Sequence, residues 1–145
     1  MFNKFLHIFF FFLISLSCFA QSEADEIQGY YMSPQENAIF KFYKSGEKYF
    51  AKPVWMKHPE RLDTLNPDKN LKTRKIIGSV LVKDFVFDGK NTWSKGTVYD
   101  ANSGKTYKSR ITRDKDKNLL VRGFVGISVF GRTEYFVKVD FKERE

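Results

Sequence analysis

Few side chains in this sequence could act as a nucleophile or a general base. The 145 residues contain two histidines, His7 and His58, and one cysteine, Cys18. A serine nucleophile needs a base beside it, but the sequence has no Gly-x-Ser-x-Gly turn, and His58 follows a strand-like segment without such a partner. Two histidines are also too few for a histidine-rich zinc site. The sequence therefore predicts neither a nucleophilic triad nor a metal centre.

Acidic side chains are the remaining candidates for catalysis. Asp114 and Asp116 alternate with lysines in a turn-like stretch, which is typical of a solvated loop. Asp63 with Asp68 or Asp100 could supply the carboxylate pair of a glycosidase, but no pattern organises these residues into such a site. The sequence thus favours a protein that is not an enzyme and that carries no cofactor.

Aromatic side chains are the best candidates for a binding site. Trp55, Trp93, Tyr99 and Tyr107 are spread over several strand-like segments. Large rings with few rotamers suit the wall of an apolar pocket, so we expect these four side chains to contact a ligand. The same residues could instead fill the core, which composition alone favours.

Three glycines near the end of the chain indicate curvature. Gly123, Gly126 and Gly131 fall within nine residues of one another. Glycines in strands mark bulges, barrel corners or close approaches of the backbone. They indicate kinks that close a curved sheet, and the alternative is that they leave room for a ligand inside it.

Strands must position these residues, because apolar and polar residues alternate with period two and helical periodicity is nearly absent. Tyr107, Ser109 and Ile111 face one way in the alternation, and Lys108 and Arg110 face the other. This pattern is typical of a half-buried strand.

The last strand shows the same alternation. Thr133, Tyr135, Val137 and Val139 oppose a charged set made up of Arg132, Glu134 and Lys138. A half-buried strand places its apolar set against the core. We therefore expect the charged set to face solvent.

Turn-like residues separate eight predicted strands and define an all-β fold. Eight antiparallel strands with short turns favour a closed up-and-down barrel, because closure removes exposed edges. A two-sheet sandwich is the alternative. The predicted strands are Gln28–Met32, Ala38–Lys44, Tyr49–Met56, Val80–Asp88, Trp93–Tyr99, Thr106–Arg113, Leu119–Val125 and Arg132–Phe141.

One connection, from Lys57 to Gly78, is far longer than a hairpin loop, and such loops usually carry function or structure of their own. Asn66 as a cap, followed by proline and aspartate, predicts a short helix over 67–72 that could close one end of the barrel. Asp63 and Arg74 bracket this turn and could pair to anchor it.

The beginning of the chain predicts export. Lys4 precedes a continuous apolar run, and small residues at positions 18 and 20 satisfy the cleavage rule for a signal peptide over residues 1–20. Lipidation of Cys18, which would give an outer-membrane lipoprotein, is the alternative. Residues 21–27 are expected to be a flexible leader, and residues 28–145 a single domain without a transmembrane segment. We therefore expect a periplasmic or secreted bacterial protein.

The charge balance is basic, with a formal net charge of +8. Lysines recur in most strands and turns, and no run of five like charges occurs, so the pattern favours a solvated outer face. A dedicated site for an acidic polymer is the alternative, and we expect no nucleic acid partner.

A set of short motifs over about residues 29–139 resembles a bacterial family of small exported proteins known only as a domain of unknown function. The resemblance implies a lipocalin-like barrel with an internal pocket and no established enzymatic activity. This chain has tyrosines after Gly29, and Phe136 near the end, where the family usually has tryptophan. The motifs are Lys52-Pro53-Val54-Trp55, Asn66-Pro67-Asp68, Trp93 to Asp100, Gly104 to Tyr107, Arg122 to Gly126 and Gly131-Arg132-Thr133. Carried onto this sequence, the family residues are Asp63, Asn66, Leu71, Arg74, Gly78, Trp93, Gly96, Tyr99, Asp100, Gly104, Tyr107, Gly123, Gly131 and Arg132.

Two functional hypotheses follow. The first is an exported binding protein whose barrel holds a small lipophilic molecule. The second is an envelope-associated module that contacts an acidic glycan or a protein partner through its basic surface.

Overall fold

The computed structural model describes residues 23–124 and 131–143. The predicted signal peptide, Cys18 and Gly126 lie outside the described residues. Within them, no helix is long and apolar enough to cross a membrane.

Eight antiparallel strands form a closed barrel in which each strand pairs with its neighbours in sequence and β8 pairs with β1. The predicted barrel is therefore confirmed, and the sandwich alternative is excluded. The strands are β1 (Gly29–Met32), β2 (Ala38–Ser45), β3 (Lys48–Met56), β4 (Val82–Gly89), β5 (Thr92–Asp100), β6 (Lys105–Arg113), β7 (Leu119–Phe124) and β8 (Gly131–Val139).

This topology gives the barrel two ends. Residues 33–37, 57–81 and 101–104 connect strands at one end, which we call the open end, and residues 46–47, 90–91 and 114–118 connect them at the other, the closed end. The alternation predicted for β6 is confirmed, since Ser109 and Ile111 are buried whereas Lys108 and Arg110 are exposed.

The core lies toward the closed end. Trp93 is fully buried there, and its ring lies 5.2 Å from that of Phe87 and 6.4 Å from that of Tyr49, measured between centroids. Such tilted and edge-on ring pairs add to the free energy gained by burial. Further fully buried side chains in this cluster are Ile27, Tyr31, Phe85, Ile111 and Leu119.

Residues 23–27, which we call the plug, pack against the closed end instead of forming the expected flexible leader. Ile27 has no exposed surface, and the carbonyl oxygen of Ala24 accepts a hydrogen bond of 3.1 Å from the indole Nε1 of Trp93. Asp25 accepts a hydrogen bond of 2.6 Å from the hydroxyl group of Tyr49. The segment is polar in composition, but its two apolar side chains cover the end of the core, and this burial orders it.

Strand β8 is oriented opposite to the prediction. Glu134 and Phe136 line the barrel interior, whereas Tyr135 and Val137 are 44% and 46% exposed on the outer face. Lys138, also expected to face solvent, donates from Nζ to the hydroxyl group of the buried Tyr31 at 3.2 Å. Arg132 and Glu134 can face inward because they line the open cavity, whereas Lys138 is held by its hydrogen bonds to Tyr31 and to the carbonyl oxygen of Gln28.

The helix predicted over 67–72 is shorter in the structure, a single 3-10 turn at Lys69–Leu71. Its cap is Asp68 and not Asn66, since the Asp68 side chain accepts a hydrogen bond of 2.9 Å from the backbone amide of Asn70. Asn66 accepts instead from the backbone amide of Asp68, also at 2.9 Å. Two successive side-chain turns thus fix residues 66–70, and the helix starts at Lys69 instead of at Pro67.

Candidate ligand-binding cavity

A cavity of about 500 Å³ occupies the barrel between the core and the open end. This volume lies within the range of small-molecule sites, which is about 300–1,000 Å³. Apolar side chains from five strands dominate its inner wall. They are Phe40, Phe42, Val82, Val98, Val121 and Phe136.

One side of the cavity is polar. Tyr107 and Ser109 on β6 face Gly123 on β7, and Arg132 and Glu134 follow on β8. Arg132 Nε and Glu134 Oε1 form an ion pair at 2.6 Å, in which the arginine side chain is 82% exposed and the glutamate side chain 30% exposed. The cavity can therefore offer hydrogen bonds along one wall and apolar contacts along the others.

The rim at the open end combines the β3–β4 connection with the β5–β6 turn. Arg61 Nη2 donates to Asn102 Oδ1 at 2.8 Å, and both residues line the cavity. Asp100 shapes the turn, because its Oδ1 accepts from the backbone amide of Asn102 at 2.8 Å and its Oδ2 from the hydroxyl group of Ser103 at 2.8 Å. The guanidinium group of Arg61 thus lies at the mouth of the cavity, and its hydrogen-bond acceptor Asn102 Oδ1 is uncharged.

Asp63 is the anchor of the β3–β4 connection, and it has no exposed surface. Its Oδ1 accepts from the hydroxyl group of Tyr99 at 2.5 Å. Its Oδ2 accepts from Asn66 Nδ2 at 2.7 Å and from Arg74 Nε and Nη2 at 3.0 and 2.8 Å. The expected pairing of Asp63 with Arg74 is present, and Tyr99 extends it to β5, so the connection is fixed to the barrel wall.

The charge state of this anchor follows from its contacts. Burial disfavours the ionised form of Asp63, but the hydrogen bonds from Tyr99, Asn66 and Arg74 outweigh it, so the pKa of Asp63 lies below its ordinary value. Burial and the hydrogen bond to Asp63 together raise the pKa of Tyr99 to about 12. At pH values between these two pKa values, Asp63 is ionised and Tyr99 keeps its proton. The hydroxyl group of Tyr99 can therefore donate to the Asp63 carboxylate.

Glycines at family positions allow close packing. Gly104 has φ of +69°, and the backbone carbonyl group of Leu65 lies where a Cβ atom would stand, so the β3–β4 connection can rest on the β5–β6 turn. Gly96 lies against the ring of Phe85 in the same manner. Gly131 packs against the backbone of Gly123.

The remaining family glycines have different surroundings. Gly78, with φ of +80°, donates its backbone amide to the carbonyl oxygen of Pro53 at 2.7 Å. A Cβ atom at Gly123 would meet Tyr107 and Ser109 at ordinary contact distances of 3.4 and 3.8 Å. A methyl group would therefore fit at Gly123, which lines the cavity.

The four aromatic residues expected to contact a ligand do not lie together. Tyr99 and Tyr107 line the cavity. Trp93 instead belongs to the core at the closed end, and Trp55 lies on the outer face of β3, 39% exposed and paired with Ile39. The inward and outward directions follow from strand register, which composition does not reveal.

Sequence reasoning missed several cavity residues. Glu134 was missed because the two faces of β8 were assigned the wrong way round, and Phe136 was noted only as a position where the family usually has tryptophan. Arg61 gave no signal of its own, but its position in the long connection could have indicated a place at the rim.

The single histidine of the described part lies apart from this cavity. His58 is exposed, and its Nδ1 lies 3.6 Å from Glu60 Oε1. Within residues 23–124 and 131–143, no three histidine, cysteine or acidic side chains are grouped so that they could hold a metal ion.

The closed eight-strand antiparallel barrel with an internal cavity places the chain in the lipocalin-like class of folds. Residues 29–138 match the family described as "Uncharacterized protein conserved in bacteria (DUF2147)", and the chain belongs to this family. No curated protein matches it. Among solved structures it is similar to protein HP1028 from the human pathogen Helicobacter pylori, which is described as belonging to the lipocalin family. The two are 23% identical over 79% of this chain and 83% of that chain, with a TM-score of 0.71, and this likeness shows the fold.

Proposed function

We propose that this protein binds a small, mostly apolar molecule inside its barrel and that it acts by binding rather than by catalysis. The cavity of about 500 Å³ with an apolar inner wall is the observation that carries this proposal. Burial of apolar ligand surface would supply the affinity. The polar wall at Tyr107, Ser109 and Glu134 would orient a polar group of the ligand toward β6 and β8.

The test is a matched pair of valine substitutions. Val98 lines the cavity, whereas Val137 lies on the outer face and is 46% exposed. Val98→Trp fills the cavity with an indole ring, and Val137→Trp adds the same ring outside the barrel. Gly123→Leu offers a second way to fill the cavity, because a Cβ atom at this position meets its neighbours at ordinary distances.

The readout is titration with N-phenyl-1-naphthylamine, a fluorescent apolar probe, and native mass spectrometry of gently purified protein. We expect the unaltered protein and Val137→Trp to bind the probe alike, and Val98→Trp and Gly123→Leu to bind it at least about tenfold more weakly. Circular dichroism checks that each variant keeps its strands. Equal probe binding by all four folded proteins would contradict the proposal.

We further propose that the protein works outside the cytoplasm, in the periplasm or secreted. The support is the charged start, apolar run and small residues of positions 1–20. N-terminal sequencing of the protein recovered from its native host should find Gln21 first. An acylated protein that begins at Cys18 would instead indicate an outer-membrane lipoprotein.

A further inference from the structure

Strand register gathers positive charge on one outer wall of the barrel. We call this wall the basic face and define it by Lys83, Lys95, Lys108, Arg110 and Arg122 on β4 to β7. Each of these residues neighbours an inward-facing residue in its strand, so each projects outward. The inward neighbours are Val82, Gly96, Ser109 and Val121.

Among the strands of this wall, only β4 and β5 carry carboxylates, namely Asp84, Asp88 and Asp100, and Asp100 is engaged within the β5–β6 turn. β6 and β7 contain no aspartate or glutamate, and Asp84 of β4 is bound to Lys48 of β3 at 3.0 Å. Within the described part of the chain, no salt bridge involves Lys83, Lys95, Lys108 or Arg110. Three of the lysines, together with Arg110 and Arg122, therefore share one outer wall of the barrel.

The positive charges face each other across the strands. Arg110 is directly opposite Arg122. On its other side Arg110 faces a bulge of β5, where the register shifts between Trp93 and Gly96 and places Lys95 against it. Like charges directly opposite each other destabilise a sheet. An anionic partner lying across the three strands would offset this repulsion.

The bulge has a conformational cost of its own. Lys95 has φ of +63°, in the left-handed region that favours glycine. Bulges redirect side chains, and this one turns a lysine outward beside Arg110. The fold thus holds a cation where glycine would be less strained.

We propose that the basic face binds an acidic polysaccharide. The threonines between the cations, Thr97, Thr106 and Thr112, can exchange hydrogen bonds with sugar hydroxyl groups. Binding of single-stranded nucleic acid relies on free aromatic rings for base stacking. On this face the ring of Phe124 is covered by the guanidinium group of Arg122, 5.8 Å from its centroid. This wall is separate from the cavity, so the inference goes beyond the ligand-binding function.

The experiment measures binding of polygalacturonate, a linear polyuronate, by isothermal titration calorimetry, with neutral dextran as the reference polymer. Lys108→Glu/Arg110→Glu reverses two charges of the basic face. Lys115→Glu/Lys142→Glu makes the same change in net charge at exposed positions near the closed end. We expect salt-sensitive binding of polygalacturonate, about tenfold or more weaker in the first variant and nearly unchanged in the second.

The Lys95→Gly variant tests whether Lys95 serves polygalacturonate binding rather than the stability of the fold. Glycine adopts the left-handed conformation freely, so the melting temperature should stay the same or rise while polygalacturonate binding weakens. Equal weakening in both double variants would overturn the proposal, because net charge alone would then explain the binding. Tighter binding to a single-stranded DNA oligonucleotide or to phosphatidylglycerol vesicles than to polygalacturonate would also overturn it. Probe binding in the cavity should remain unchanged in these variants, so the two proposals can fail independently.

Discussion

Removal of the Asp63 carboxylate should release the β3–β4 connection while the barrel stays folded. Four hydrogen bonds converge on this side chain, three of them from Asn66 and Arg74 within the connection and one from Tyr99 on β5. No strand pairing depends on these bonds. Asp63→Ala is therefore expected to act locally.

The magnitude follows from the burial of the pair. The Asp63 side chain is fully buried, whereas that of Arg74 is 27% exposed. Breaking a buried ion pair costs about 3–5 kcal/mol, and the lower end applies because Arg74 can turn toward water. We expect Asp63→Ala to lower the free energy of opening the connection by about 3 kcal/mol. Tyr99→Phe, which removes one hydrogen bond to a charged group, should lower it by about 1.5 kcal/mol.

Hydrogen exchange measured by mass spectrometry is the assay, since exchange reports local opening. A change of about 3 kcal/mol corresponds to roughly a hundredfold faster exchange in residues 57–81. The control is Glu143→Ala, which removes an exposed pair with Lys41 at 2.7 Å and should cost less than about 1 kcal/mol. Unchanged exchange over 57–81 in Asp63→Ala would refute the reasoning. Equal acceleration in every strand would refute it too, because Asp63 would then belong to the global folding unit.

Three further predictions rest on the same geometry. The pKa of Asp63 is lowered, so its contribution to the stability of the connection is complete above the pKa of the unfolded state, near pH 4, and is lost as the pH falls through the pKa of the folded state. The pKa of Tyr99 is raised to about 12, so its contribution is complete below about pH 10 and is lost as the pH rises through about 12. An NMR titration of the amides in the connection should show both limits. Gly96→Ala forces a methyl group against the ring of Phe85 and should cost about 1–3 kcal/mol in urea unfolding. Trp93→Phe removes the hydrogen bond to the plug, and exchange in residues 23–27 should accelerate while the strands keep their protection.

Local patterns were sufficient to predict the barrel. The alternation of β6 and the tight turns between strands gave eight strands with boundaries within two residues of those observed. The pairing of Asp63 with Arg74 was also accessible, because both residues lie in one connection and carry opposite charges. Short-range features of this kind depend on residues that are close together in the sequence, so they can be predicted from it.

Long-range packing explains what local patterns missed. The plug is polar in composition, and its order depends on Trp93 and Tyr49, which follow it by 69 and 24 residues. No pattern within residues 21–27 indicates that Ala24 and Ile27 pack against the end of the core. The placement of Trp55 outside the barrel likewise depends on the register between β2 and β3.

The orientation of β8 follows from the cavity itself. Alternation tells which residues share a face, but the rule that the apolar face turns inward holds only where the interior is dry. Next to β8 the barrel is hollow, so the ion pair of Arg132 and Glu134 can line it without losing all contact with water. In a barrel filled with side chains these charges would be buried away from water. The opposite orientation of the strand, with the charges outside, would then be favoured. A hollow, solvent-accessible barrel therefore permits a charged inner face on β8. The charged residues in the sequence of this strand thus fit a barrel whose cavity can hold a ligand.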